Sequence, residues 1–262
     1  MKRGIPLMRF VLVLLLFFGF DSILRTSEAN TYLKQSSYEL MSSEVRAMQD
    51  DPSLNPATFW LLDGQALWRS KQGREKLACA DCHGDSGESM KGVAATFPKI
   101  MGGGLRTLEG QINFCRLNRQ KAAEFAYETK ELLSLSAFIA SFSKGYPILV
   151  EENKAVTPFL DNGRRRFNQR IGQLNLSCAQ CHQDRPGLRL GGNLIPQGHP
   201  NAYPIYRLEW QSMGSLQRRI RNCLSGVRAQ LFEYGSQELA EIELFLMWRA
   251  RGMVMESPGV RP

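Results

Sequence analysis

Two stretches of this chain place apolar residues at helical spacing. Glu131–Ala140 and Glu238–Trp248 carry them at i, i+3, i+4 and i+7, the pattern of amphipathic helices closing on a core. A different pattern opens the sequence, where Lys2, Arg3 and Arg9 precede an uncharged apolar run, Phe10–Phe20, that turns polar at Asp21. That run is too short for the ~20 residues of a membrane helix, and a basic start before a short apolar core is the layout of a signal peptide. Residues 1–29 are therefore read as a signal peptide; the Ser27–Ala29 cleavage site is weak, which leaves an uncleaved anchor as the alternative. No comparable run follows Asn30, so the mature form is expected to be exported to the periplasm with no membrane segment. No alternating strand pattern competes with the helices.

The helical pattern occurs twice because the chain repeats itself. At an offset of 99, Leu62, Gly64, Trp68, Gly73 and Leu77 are matched by Leu160 (one position short), Gly163, Phe167, Gly172 and Leu176. At 108, Leu108, Ile112 and Cys115 fall on Leu216, Ile220 and Cys223; at 107, Tyr127, Glu131 and Phe138 fall on Tyr234, Glu238 and Phe245. Ser143–Pro158, with Gly145, Pro147 and Pro158 around a polar stretch, has a linker composition and puts the boundary near Val150.

Composition narrows the class without naming it. With 262 residues, 43% hydrophobic and 22% charged, the chain is globular, which excludes a disordered tail or a fibre. The formal charge of +8 favours anionic partners, but part of it lies in the leader and no basic stripe interleaves with aromatics. Nucleic acid is not an expected partner.

The chemistry lies in the cysteines. Cys79-Ala-Asp-Cys82-His83 and Cys178-Ala-Gln-Cys181-His182 are both C-x-x-C-H, the signature of covalent haem c attachment. Two cysteines three apart on a helical turn can form thioethers to the haem vinyl groups, and the next histidine then supplies the proximal nitrogen. A four-cysteine zinc site would not need a histidine after each pair, and a thioredoxin-like pair would occur once, in a βαβ setting absent here. The chain is thus expected to be all-α, two tandem cytochrome c-type domains at 30–150 and 151–262, with long irregular loops around two covalently bound haem c groups.

A sixth iron ligand usually comes from a Met or His after the motif, yet neither repeats at the offsets above. Cysteine does, so Cys115 and Cys223 are the candidates, each on a short helix before the closing helix. A thiolate stabilises Fe(III) and makes such a haem hard to reduce. The alternative is a single disulfide between them, which the compartment allows. His199 has no counterpart in the first half and lies between prolines, so it reads as a turn or packing residue before a ligand. Around Cys223 the halves differ: Arg218, Arg219, Arg221 and Arg228 lie within six residues of it, and Arg219 at i−4 shares its helix face, where Cys115 has Gln111. A guanidinium beside a thiol raises the thiolate population and can hold an oxyanion; the bland reading is a solvated basic helix face.

With both motifs, Cys115, Gly198–Trp210 and Gly214–Cys223, the sequence resembles SoxA, the dihaem subunit of the SoxAX cytochrome complex, over nearly its whole mature length. The resemblance implies an L-cysteine S-thiosulfotransferase that oxidatively couples thiosulfate to a cysteine of a SoxY-like carrier protein, passing two electrons to haem and on to a downstream cytochrome c. It makes Cys223 the catalytic sulfur and a ligand of the second haem, with a persulfide as relatives can carry, and Arg219 the residue that binds the anionic sulfur species. It assigns the first haem to Cys79, Cys82, His83 and Cys115, the second to Cys178, Cys181, His182 and Cys223, and a third to a SoxX-like monohaem partner in a heterodimer. Two rivals remain. A non-catalytic dihaem electron carrier would keep thiosulfate coupling when Cys223 is lost, and a redox sensor would need an output domain for which the residues after Ala250 leave little room.

Overall fold

The computed structural model describes Met1 and residues 33–262, so the expected signal peptide lies, Met1 apart, outside the described residues. A short 3-10 turn, Ser37–Leu40, leads into α1 (Ser43–Asp50), α2 (Ala57–Arg69), α3 (Cys79–His83) and α4 (Ser86–Ser89). A hairpin of β1 (Lys99–Met101) and β2 (Gly104–Arg106) then precedes α5 (Leu108–Cys115) and α6 (Lys130–Ser141). The order recurs with α7 (Thr157–Asn168), α8 (Cys178–His182), the hairpins β3 (Arg189–Leu190)–β4 (Asn193–Leu194) and β5 (Ile205–Arg207)–β6 (Ser212–Gly214), α9 (Leu216–Gly226) and α10 (Gln237–Arg249). A last strand, β7 (Gly259–Arg261), pairs parallel to β5.

The repeat extends to the helix caps. Thr107 and Ser215 accept from the N3 amides of α5 and α9, each at 3.1 Å, and Thr129 and Ser236 cap α6 and α10 in the same way. An N-cap oxygen satisfies an amide that has no partner within the helix, and so sets where each helix begins. The expected closing helices at 131–140 and 238–248 are α6 and α10.

Each closing helix crosses a partner through a glycine. A Cβ at Gly64 in α2 would stand 2.2 Å from the Ser134 carbonyl oxygen of α6, and one at Gly163 in α7 would stand 2.1 Å from that of Glu241 in α10. Beside these crossings Trp68 packs on Phe138, with centroids 6.0 Å apart, and Phe167 on Phe245, at 5.2 Å. The duplicated sequence therefore marks a duplicated helix crossing.

Two expectations are amended. Helices dominate, but the described residues also hold three small antiparallel or mixed sheets, so the all-α reading is incomplete. Strands of two or three residues are too short to show a period of two in sequence, and β5 and β7 meet across more than fifty residues. The segment with linker composition is also packed. Ile148, Val150 and Val156 are buried, Ile148 N–H donates to the Met253 carbonyl at 2.9 Å, and Pro147 bridges Val254. Lys34–Pro262 form one compact unit whose apolar core runs through both repeats. No helix among the described residues is long and apolar enough to cross a membrane.

Candidate functional site

Both C-x-x-C-H motifs fold as single helical turns. At α8, Ser177 Oγ accepts from Gln180 N–H at 3.3 Å while Gln180 Oε1 accepts from Ser177 N–H at 2.9 Å, a reciprocal cap. At α3, Asp81 accepts from Ala78 N–H at 2.9 Å. The approach is the same in both: Gln72 bridges Leu77 and Ile171 bridges Leu176, with Gly73 and Gly172 at φ of +66° and +70° turning the chain between. At these glycines a Cβ would meet the carbonyl oxygens of Gln120 and Val227 at 2.0 and 2.1 Å, so the turn before each motif is locked against the segment after each cysteine helix.

His182 is held from behind. Its Nδ1 donates to the Pro196 carbonyl at 2.7 Å, which fixes the ring and leaves Nε2 as the nitrogen available to a metal. Gly198, at φ +75°, passes so close that a Cβ there would lie 3.0 Å from the His182 ring. His182 also shares a hydrogen bond with Cys223, and the charge of Cys223 acts on Cys178, so the α9 cysteine sits against the second motif. In the first half Cys115, at the end of α5, acts electrostatically on Cys79 and Cys82 and accepts a hydrogen bond from Gln111 Nε2 at 3.2 Å. His83 is exposed, with the Trp68 ring centroid 5.7 Å from its own. All six cysteines are free, and Cys115 and Cys223 stand beside different motifs instead of bridging. Each centre thus gathers two thiols one turn apart, a histidine and a further sulfur, a donor set that fits a covalently held haem.

The electrostatics separate the two sulfurs. Burial pushes the Cys115 thiol up, and Gln111, Arg119 and Arg106 offset this only in part. At Cys223 burial also opposes ionisation, yet the His182 hydrogen bond and the guanidiniums of Arg219 and Arg207 outweigh it and hold the thiol below its ordinary value. Helix periodicity disperses the arginine cluster seen in sequence. Arg219 faces Cys223, whereas Arg218 stacks over Trp210 at 4.2 Å and Arg221 lies over Tyr234 at 4.4 Å while bonding to the Phe232 carbonyl.

Sequence reasoning missed Pro196, Gly198, Arg207 and Tyr203. Arg207 comes from β5, and Tyr203, just before that strand, has its hydroxyl pushed up to about 12 by burial, opposed by Arg219 and Arg207. Gly198, Tyr203 and Arg207 lie on the Gly198–Trp210 block already singled out and Pro196 lies two residues before it, but only folding brings this segment against His182 and Cys223. His199 behaves as a packing residue: burial and the adjacent Arg249 push its imidazole down to about 4, and its Nε2 pairs with Gln197 Oε1 at 3.0 Å.

Comparison with known proteins identifies the family of the chain. Residues 63–148 match the family model described as SoxA/TsdA, cytochrome c domain. The chain is 33% identical over 229 residues to the L-cysteine S-thiosulfotransferase subunit SoxA of Rhodovulum sulfidophilum, covering 87% of this chain and 80% of that protein. It is 31% identical to the same subunit from Pseudaminobacter salicylatoxidans, covering 86% and 80%. The crystal structure of SoxXA from P. pantotrophus superimposes with a TM-score of 0.85 at 28% identity, over 87% of each chain. Identity at that level across four-fifths of both relatives, together with the shared fold, places the chain in the SoxA family.

Proposed function

We propose that this chain is the catalytic subunit of a sulfur-oxidising cytochrome complex, an L-cysteine S-thiosulfotransferase that oxidatively couples thiosulfate to a cysteine thiol of a SoxY-like carrier protein. The observation that carries the reading is Cys223. It is a thiol beside a histidine of a haem-attachment motif, tuned toward thiolate by the His182 hydrogen bond and then by Arg219 and Arg207, where Cys115 in the equivalent place is tuned the other way.

Cys79, Cys82, His83 and Cys115 would hold one haem c, and Cys178, Cys181, His182 and Cys223 a second, one in each of two cytochrome c-type domains, 30–150 and 151–262. Bound haem c supplies an electron acceptor next to the reacting sulfur. This chain's residues do the rest. Thiosulfate is a dianion approaching a thiolate, so the guanidinium of Arg219 offsets the repulsion. The Cys223 sulfur, or the outer sulfur of a persulfide on it, forms an S–S bond to the sulfane sulfur of thiosulfate as two electrons leave. The carrier thiolate then attacks that sulfane sulfur, the S–S bond just formed breaks, and Cys223 departs as the thiolate or persulfide anion it began as. In sum one thiol and one thiosulfate give one cysteine S-thiosulfonate, one proton and two electrons. A SoxX-like monohaem subunit completes the heterodimer, a downstream cytochrome c removes the electrons, and the basic, apolar leader directs the chain to the periplasm.

Cys223→Ala tests the reading. Coupling of thiosulfate to the carrier should fall by about 10³-fold or more, as expected when a covalent nucleophile is removed, while intact mass still records two attached haems. Unchanged coupling in a variant that keeps both haems would leave the chain an electron carrier.

A further inference from the structure

Arg207 is the least explained charge near Cys223. It leaves the end of β5 with its side chain only 12% exposed, and its outer Nη2 is held by the exposed carboxylate of Glu209 at 2.7 Å. Its guanidinium lies 5.2 Å over the Trp210 ring, which Arg218 also approaches, at 4.2 Å. This leaves Nε buried and without a hydrogen-bond partner. A buried donor on a charged group is costly to leave unpaired, and native structures seldom do so. The cost is greater here because Arg207 and Arg219 repel each other, with both acting on Cys223 and on Tyr203. Glu209 is the carboxylate that acts on both arginines, and it sits at the exposed rim. Two guanidiniums whose charges act on one sulfur and on each other, one of them with a buried unused donor, call for an oxyanion between them.

We propose that Arg207 is a second anion-binding residue, donating from Nε to the sulfonate oxygens of thiosulfate while Arg219 stays with the sulfur of Cys223. The inference rests on Cys223 being the reacting sulfur and adds a division of labour. Arg219 serves the end of the substrate that forms the bond, and Arg207 reads the end that distinguishes a sulfonate from a bare sulfide. Glu209 orients the Arg207 fork and competes with the incoming dianion. A haem propionate carboxylate is the other oxyanion that could meet this donor.

Equilibrium dialysis of radiolabelled thiosulfate against the haem-loaded heterodimer separates these cases, since it reads binding and not turnover. Arg207→Gln should weaken thiosulfate binding roughly ten- to a hundredfold, the scale of one lost hydrogen bond to a charged group, with the haem absorption and EPR signatures and the haem content unchanged. Arg207→Lys, which keeps the charge and loses Nε, should recover part of the affinity. Glu209→Gln should tighten binding by about two- to fivefold, as for removal of one exposed charge. An Arg207→Gln protein that binds thiosulfate like the wild type overturns the proposal, and altered haem spectra with unchanged binding assign Arg207 to the propionate. A wild-type complex that binds thiosulfate through Arg207 but does not couple it would count against the transferase reading alone.

Discussion

At Gly198 the backbone passes close against a predicted ligand, His182. The glycine's φ of +75° is one that residues with a Cβ rarely adopt, and the added carbon of Gly198→Ala would press on the His182 ring at 3.0–3.1 Å. The His182–Pro196 hydrogen bond should loosen, at a cost of about 1–3 kcal/mol for a non-glycine held in that region. Denaturant unfolding should record the loss, and the low-spin signature of the second haem should broaden while that of the first is unchanged. Equal broadening at both haems would show that the glycine does not act through His182. At this scale the sequence was informative wherever the chemistry is local: both C-x-x-C-H motifs, Cys115, Cys223 and the i−4 arginine were all readable from spacing. It was silent where a partner arrives from elsewhere in the chain. Nothing in Pro196 announces that its carbonyl will hold His182, and nothing in Arg207 announces a shared field with a cysteine sixteen residues on.

Elements carry the duplication more clearly than single residues do. The closing helices were legible because they bury one continuous apolar face, and the offsets of 99 and 107 already aligned the residues that meet at each crossing. What could not be read was why Gly64 and Gly163 recur, since a glycine in a helix is otherwise unfavourable by about 1 kcal/mol relative to alanine. The crossing explains them: Ser134 and Glu241 carbonyl oxygens occupy the place of the missing Cβ atoms. Gly64→Ala and Gly163→Ala should therefore destabilise the fold by about 1–3 kcal/mol despite the gain in helix propensity, as overpacking does in a tight interior. The lowered unfolding midpoint should be similar for the two, because the same atoms collide in each. A variant more stable than wild type would mean that the helices are free to separate. Glu241 shows a second limit of pattern reading, because this carboxylate is 1% exposed on α10 yet bonded by Asn162 at 2.8 Å, Arg166 at 3.2 Å and Gln237 at 2.9 Å. A polar position in a periodic pattern predicts solvent, and only the partners on α7 make burial affordable.

Across the whole molecule the two repeats are joined by more than a linker, and part of the join is acidic. Tyr127 stacks on Tyr234, with centroids 6.1 Å apart, and Glu128 accepts from Ser215 Oγ at 2.5 Å. Behind them Glu109 of α5 and Glu243 of α10 line one small cavity of ~40 Å³, a volume that can hold a few waters. Both are buried, Gln217 Nε2 donates to Glu243 at 3.3 Å, and the Glu109 charge raises the proton affinity of Glu243. Burial, then Glu128, pushes the Glu109 carboxyl up to about 7, and burial, then Glu109, raises Glu243 well above the ordinary carboxyl range. Two carboxylates facing one cavity cannot both ionise cheaply, so the folded protein keeps at least one proton between them at neutral pH. The sign of the consequence follows from linkage. A carboxyl that binds its proton more tightly when folded contributes stability in acid, which is lost as pH rises from the ordinary value of 4.5 through about 7 and beyond. Stability should therefore decline by a few kcal/mol between about pH 5 and pH 8, at roughly 1.4 kcal/mol per pH unit for each proton released. Glu243→Gln, which keeps the shape and a hydrogen-bonding amide, should flatten this decline. Glu109, raised by its own burial and by Glu128, should keep its part of the decline, so that the variant matches the wild type near pH 5 and exceeds it near pH 8. Unfolding curves at the two pH values decide the matter, and an undiminished decline in the Glu109→Gln/Glu243→Gln double variant would place the sensitivity elsewhere. Because Glu109 lies on α5, which ends at Cys115, and Gln217, in the first turn of the helix that carries Cys223, donates to Glu243, losing a proton from this cavity places a negative charge beside the helices that present both sulfurs.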